Sequence, residues 1–209
     1  MATQTEERRL ITILFADVSG FTALSANLDP EEVRDIANIC FEHLNQPIIK
    51  QGGTIHKYEG DLVIALFGFP IAHEDDPERS IKTSLEMMNL VPEINKEISS
   101  KLKTKTDLGL HIGINSGIVV VGEVGSAEKK EYTVMGDVVN FASRLKDLAK
   151  KSEILVSESV FRSSRYFFEY EPLPPVSVKG VNESVKIFKP LREKEKPEHG
   201  LENIFRFEK

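Results

Sequence analysis

Asp17 closes a short apolar run, 10–18 (LITILFADV), and is followed by Ser19-Gly20-Phe21-Thr22. A carboxylate at the end of a buried strand stands at the mouth of a sheet. Gly20 lets backbone approach a ligand closely, and a helix opening there offers free N–H groups to an anion. The same residues also suit a plain helix cap and its turn. Asp61 lies 44 positions further on, in the turn Glu59-Gly60-Asp61 between two β-rich runs. Alone it reads as turn chemistry. In a β-α-β-β unit, however, the first and third strands lie side by side, and Asp17 and Asp61 would then meet. Neighbouring carboxylates repel unless a cation sits between them. Oxygen-only donors favour Mg²⁺ or Mn²⁺, and Mg²⁺ commonly takes one or two carboxylates plus substrate phosphates. With an anion-ready turn beside them, the pair points to nucleoside triphosphate chemistry.

A third constellation lies in 133–144 (TVMGDVVNFASR). Asn140 and Arg144 are four apart and share one helix face, offset from the apolar stripe. Arg144 could stabilise charge developing on a transferring phosphoryl group, and Asn140 could orient a ligand oxygen. On their own they also read as an exposed Arg and a helix-surface Asn.

The elements that must position these residues are mixed α and β. The run 10–18 is a buried strand. Asp29-Pro30-Glu31-Glu32 starts a helix, with Asp29 as cap, Pro30 at the first position and Glu32 at the third. Val33, Ile36, Cys40 or Phe41, Leu44 and Ile48 follow at helical spacing, and Gly52-Gly53 stops it. Segments 54–58 and 62–67 read as strands. Asp76-Pro77 starts a second helix with Ile81, Leu85, Met88 and Val91 on one face. Segments 108–115 and 118–124 read as two strands joined by Ser116-Gly117. A polar stretch, 125–131, leads into 132–135. Val138, Phe141 or Ala142, Leu145 and Leu148 mark a third helix. Strands are expected at 154–156 and 185–188. The order β-α-β-β-α-β at the front is that of a ferredoxin-like core, extended by the remainder. The fold class is therefore α+β, with a mainly antiparallel sheet flanked by helices. Residues 1–9 read as a lead-in, 10–190 as one domain and 191–209 as a charged tail. His56 and His111 fall inside expected strands and read as structural.

The 209 residues are 40% hydrophobic and 29% charged, ordinary for a globular domain with a real core. That composition excludes a disordered polymer, a collagen and a coiled-coil rod. The longest apolar stretch, 62–70, is far short of a membrane span. With 27 basic and 33 acidic side chains the formal net charge is −6, so nucleic acid is not an expected partner. The single cysteine, Cys40, excludes an internal disulfide and a multi-Cys metal site. No secretory signal is visible at the N-terminus, and a cytoplasmic setting is expected.

The segments 15–22 (FADVSGFT) and 57–61 (KYEGD), then Gly136-x-x-Val139-Asn140-x-Ala142-Ser143-Arg144, resemble the class III nucleotide cyclases over roughly 8–190. Three motifs in order, at this spacing, are highly specific. The resemblance implies that Asp17 and Asp61 bind two divalent metal ions, Mg²⁺ or Mn²⁺, with the Val18 carbonyl as a further ligand. It implies that Ser19, Gly20, Phe21 and Thr22 contact phosphate, that Asn140 and Arg144 serve the transition state, and that Lys179 grips the triphosphate. Lys57 and Thr133 fall at the base-selecting positions, and Lys with Asp or Thr there is the adenine-selecting pattern. A Lys ammonium can donate to adenine N1, whereas guanine N1 carries a hydrogen. Thr133 can accept from the adenine 6-amino group, but a hydroxyl can also donate. Lys57 can equally pair with Glu59 or Asp61 on a bland surface.

In that family the site forms at a head-to-tail dimer interface. One subunit gives Asp17 and Asp61; the other gives Lys57, Thr133, Asn140, Arg144 and Lys179. This chain carries both sets, so a homodimer with two sites is implied, with 125–131 as the arm that embraces the partner. The implied reaction converts ATP to 3′,5′-cyclic AMP and pyrophosphate. A regulatory domain in a longer parent protein is expected. The alternatives are a guanylyl cyclase, against which Lys57 argues, and a non-catalytic cyclase-like regulatory or dimerisation module. Such modules usually lose a metal Asp or the Asn/Arg pair. A diguanylate cyclase would share the core, but its signature is absent, since Gly52-Gly53 runs into Thr54-Ile55.

Overall fold

Strand β1 (Glu7–Ser19) runs through the middle of an eight-stranded sheet, in a computed structural model that describes residues 7–125, 130–176 and 184–195. Its residues 11–16 are all buried, because both faces of the sheet are covered there. A strand covered on both sides reads as a continuous apolar run, as 10–18 does. On one side lie β3 (Leu62–Phe67) and then β2 (Thr54–Glu59); on the other lies β4 (Gly109–Gly125). Helix α1 (Phe21–Ser25) is a short turn after β1. Helices α2 (Pro30–Lys50) and α3 (Asp76–Leu102) complete the β-α-β-β-α-β unit.

The start of α2 is as the sequence indicates. Asp29 stands at the cap, Pro30 follows, and the Asp29 N–H donates to Glu32 Oε2 at 3.1 Å. Of the two candidates for the stripe, Cys40 is buried, while Phe41 packs its ring on Tyr58. Both long helices cover one face of the sheet, against Leu14, Ala16, Val63 and Phe67. The other face carries Ile13, Phe15, Ile64 and Val121 under α4 (Asp137–Leu148). Burying some two dozen apolar side chains in the first cluster is the main stabilising term, at roughly 1.5–3 kcal/mol each.

Strand β4 corrects the expectation of two strands joined at Ser116-Gly117. It is one strand of 17 residues, paired with β1 from Glu7–Val121 to Ser19–Gly109. Gly117 is there for space rather than for a turn. A Cβ at Gly117 would stand 2.7 Å from Val138 Cγ2, so α4 needs that position bare.

Beyond β4 the sheet continues through β6 (Glu153–Ser157), β8 (Ile187–Glu193) and β7 (Phe168–Pro172). Strand β5 (Lys130–Met135) pairs with the far end of β4. Among the described residues only β4–β6 is parallel, so the sheet is mainly antiparallel. Helix α5 (Glu158–Ser164) and β7 were not expected, and β8 extends past the 185–188 strand to Glu193. Among the described residues no helix is long and apolar enough to cross a membrane.

Candidate active site

The β1–β3 ladder sets Asp17 opposite Leu62. Asp61 precedes Leu62 in a turn whose Gly60 has φ 66°, so the two carboxylates come together at one end of the sheet. Burial, and then the charge of Asp17, push the Asp61 carboxyl above its ordinary value. Negative charge is thus in excess at this spot. The Lys146 ammonium of α4 partly offsets it, with Nζ 3.4 Å from Asp17 Oδ2 and 2.5 Å from Asp147 Oδ1. Burial pulls the Lys146 pKa down, but its bond to Asp147 and the Asp17 charge outweigh that and raise it.

Among the described residues no three His, Cys, Asp or Glu side chains gather as a metal site. Two carboxylates with oxygen donors only nevertheless fit Mg²⁺ or Mn²⁺ completed by water and substrate oxygens. Val18, the further candidate ligand, is buried. Next in the chain, Gly20 has φ 88° and its carbonyl accepts from the Leu24 N–H at 3.0 Å. A left-handed residue there turns the chain from β1 into α1. Phe21 is buried and anchors the turn, whereas Thr22 is exposed.

A separate cavity of about 240 Å³ gathers Lys57, Thr133 and Asn140, with His56 on the same wall and Phe15 and Ile64 among its lining. A β-bulge aims the first of these. Ile55 pairs with Ala65, but Lys57 pairs with Ile64, leaving His56 as the extra residue. Ala65 packs against the long helices, and Ile64 belongs to the opposite face. Without the bulge Lys57 would point at the helices; with it, His56 and Lys57 both line the cavity. Lys57 Nζ also pairs with Glu59 Oε1 at 3.0 Å. Thr133 enters from β5, where it sits opposite Gly122. Its Oγ1 is 3.4 Å from His56 Nε2.

Asn140 is held by the close seat of α4. A Cβ on Gly113 would fall 2.2 Å from Lys146 N and 2.3 Å from Ala142 O. The missing side chain at Gly113 therefore lets the helix backbone rest directly on β4. Arg144 is one turn beyond Asn140 and half-buried, but outside the cavity wall, as are Asp17 and Asp61. Lys179 and residues 126–129 of the expected arm lie outside the described residues.

Two residues near these sites were not expected from sequence. His56 lines the cavity rather than the core, and Lys146 meets Asp17. His111, by contrast, is structural as read, its Nδ1 lying 2.7 Å from the Ala149 carbonyl. A larger, open cleft of about 760 Å³ between α3 and β8 holds none of the expected residues. Its Lys82 and Lys189 are already paired with Glu193 and Glu153.

The adenylate and guanylate cyclase catalytic domain matches residues 3–190 of the chain. Adenylate cyclase of Anabaena cylindrica is 34% identical over 188 residues, which are 86% of this chain and 36% of that protein. Adenylate cyclase 1 of Rhizobium meliloti is 29% identical over 183 residues, 87% of this chain and 27% of the relative. The chain thus spans about a third of the first of these relatives and about a quarter of the second. Among solved structures, the adenylyl cyclase CyaB from P. aeruginosa superposes with TM-score 0.86 at 28% identity, over 94% of this chain and 100% of that one. The guanylyl cyclase Cya2 does so with TM-score 0.82 at 34% identity, over 91% and 95%.

Proposed function

The chain belongs to the family of adenylate and guanylate cyclase catalytic domains, and on that premise we propose that it is an adenylyl cyclase whose active sites are shared between two copies of the chain. The observation that carries the choice of substrate is the cavity holding Lys57 and Thr133 beside Asn140. Lys57 donates to adenine N1 and Thr133 accepts from the 6-amino group. Glu59, paired with Lys57, keeps the ammonium on that wall.

Asp17, Asp61 and the Val18 carbonyl would hold two divalent cations. When bound, these supply Lewis acidity to the 3′-hydroxyl and offset charge on the phosphates. The 3′-oxygen of ATP attacks the α-phosphorus and its proton passes to solvent water, while the bond from α-phosphorus to the bridging oxygen breaks and pyrophosphate leaves with that oxygen. Arg144 donates to the oxygens whose negative charge grows in the transition state. Asn140 orients the substrate, Lys179 grips the triphosphate, and the turn Ser19, Gly20, Phe21, Thr22 contacts phosphate.

That the cavity wall contains neither Asp17 nor Asp61 supports a head-to-tail dimer. One copy supplies the carboxylates, and its partner supplies the base cavity and the transition-state pair. Subunit association then acts as a switch. The greater length of the relatives supports a regulatory domain in a longer parent protein.

A guanylyl cyclase is the second reading, favoured by the 34% identity to Cya2. The deciding experiment incubates purified chain with ATP or GTP and Mn²⁺ or Mg²⁺ over a range of protein concentrations. Cyclic AMP as the main product, with specific activity rising with concentration, is expected. Cyclic GMP as the main product would overturn the base assignment. No product at any concentration would favour a non-catalytic module.

A further inference from the structure

We propose that His56 is a positioning residue for base selection: it takes the Thr133 hydroxyl hydrogen and so leaves Thr133 a one-way acceptor toward the base. This deepens the adenine-selecting reading of the cavity and rests on it.

A hydroxyl carries one donor and two lone pairs. Threonine beside a purine can accept from the 6-amino group of adenine or donate to O6 of guanine. Which base it favours depends on where its hydrogen points, and nothing in the threonine itself decides that. The structure supplies a decider. His56 Nε2 lies 3.4 Å from Thr133 Oγ1, and both line the one cavity. A neutral imidazole with its hydrogen on Nδ1 presents Nε2 as an acceptor. Thr133 then donates to the ring, and its lone pairs are left for the base.

The backbone is arranged for this contact. In a regular strand His56 and Lys57 would face opposite sides of the sheet. The bulge between Ile55 and Lys57 instead puts both on the cavity wall. Lys57 then reads N1 directly, and His56 acts on the 6-position through Thr133. The opposite tautomer would reverse the outcome. A ring donating from Nε2 would free the hydroxyl hydrogen for guanine O6. The selectivity of the protein therefore reports which way the hydrogen bond runs.

The test measures kcat/KM for ATP and for GTP with the full chain and its His56→Leu and His56→Ala variants. Two truncations guard against one failing to fold. The expected result is a fall in the ATP-to-GTP ratio of about three- to tenfold, the worth of one hydrogen bond of net stabilising strength, with GTP gaining. In a Thr133→Val background the same His56 changes should leave the ratio alone, because the residue that transmits the effect is gone. A merely structural role would lower both substrates together and leave the ratio unchanged.

An unchanged ratio, a raised ratio, or an equal shift in the Thr133→Val background would overturn the proposal. If the wild-type chain turns over neither nucleotide, the proposed function fails, and the ratio of equilibrium dissociation constants for ATP and GTP tests His56 in its place. If wild type prefers ATP and the variants match it, only the role of His56 fails.

Discussion

The Lys146 ammonium stands 3.4 Å from Oδ2 of Asp17, the aspartate near the end of β1. A resident cation thus neighbours the two carboxylates that fit a divalent metal. It stabilises them when no metal is bound and opposes a metal that arrives. Lys146→Met should therefore tighten Mn²⁺ binding by at least about fivefold, since even two unit charges about 4 Å apart are worth on the order of 1 kcal/mol at the dielectric of water, and Mn²⁺ carries two. Electron paramagnetic resonance of free Mn²⁺ reads this without turnover. Unchanged or weaker binding would contradict the competition.

Asp61 gives a stability profile with a definite sign. Its carboxyl is raised above the ordinary 3.8 by burial and by Asp17. Between the unfolded and folded values the native chain binds the proton more tightly than the unfolded chain does. Stability therefore falls as pH rises through that window, and ionised Asp61 costs stability at neutral pH. In metal-free buffer Asp61→Asn should be more stable than wild type at pH 7, with the gap closing as pH drops to the ordinary carboxylate range. The same variant should lose cyclase activity by at least about 10-fold, as loss of a ligand costs no less than loss of its supporting partner. Thermal unfolding across pH, beside a cyclase assay, checks both. A variant less stable than wild type at pH 7 would contradict the repulsion.

Gly113 is the seat of α4. Its added Cβ would meet helix backbone at 2.2 and 2.3 Å, and backbone cannot swing aside as a side chain can. Gly113→Ala should cost about 1–3 kcal/mol in urea unfolding, the range of overpacked cores. It should also lower activity by lifting Asn140 and Arg144 together. A cost within about 0.5 kcal/mol, the range of ordinary surface changes, would contradict this packing.

What the sequence made legible follows from local chemistry and from topology. The cap at Asp29 and the meeting of Asp17 with Asp61 both needed only turn residues and the β-α-β-β order. Strand β4 departs from the expectation because Gly117 has the residue type of a turn, while its reason is Val138 across the chain. Strand β7 has a sequence signal of its own: Phe168 and Tyr170 alternate with Glu169 and Glu171, the period of a half-buried strand. His56 could not be assigned a wall, because a bulge adds one residue without any compositional mark. Lys146 meets Asp17 across 129 positions, a contact that depends on how closely α4 settles on Gly113.

Complementation by mixing tests the shared site most directly. Asp17→Asn and Arg144→Ala chains are each expected to be inactive, because every site in either homodimer lacks one essential group. In a mixed dimer of head-to-tail symmetry one site carries both changes and the other carries neither. An equimolar mixture should then make cyclic AMP at about a quarter of the wild-type rate, since half of the dimers are mixed and each holds one intact site. No cyclic AMP at any mixing ratio, with dimers of the two chains present, would contradict sites shared between copies. Activity in either variant alone would contradict the roles given to Asp17 and Arg144.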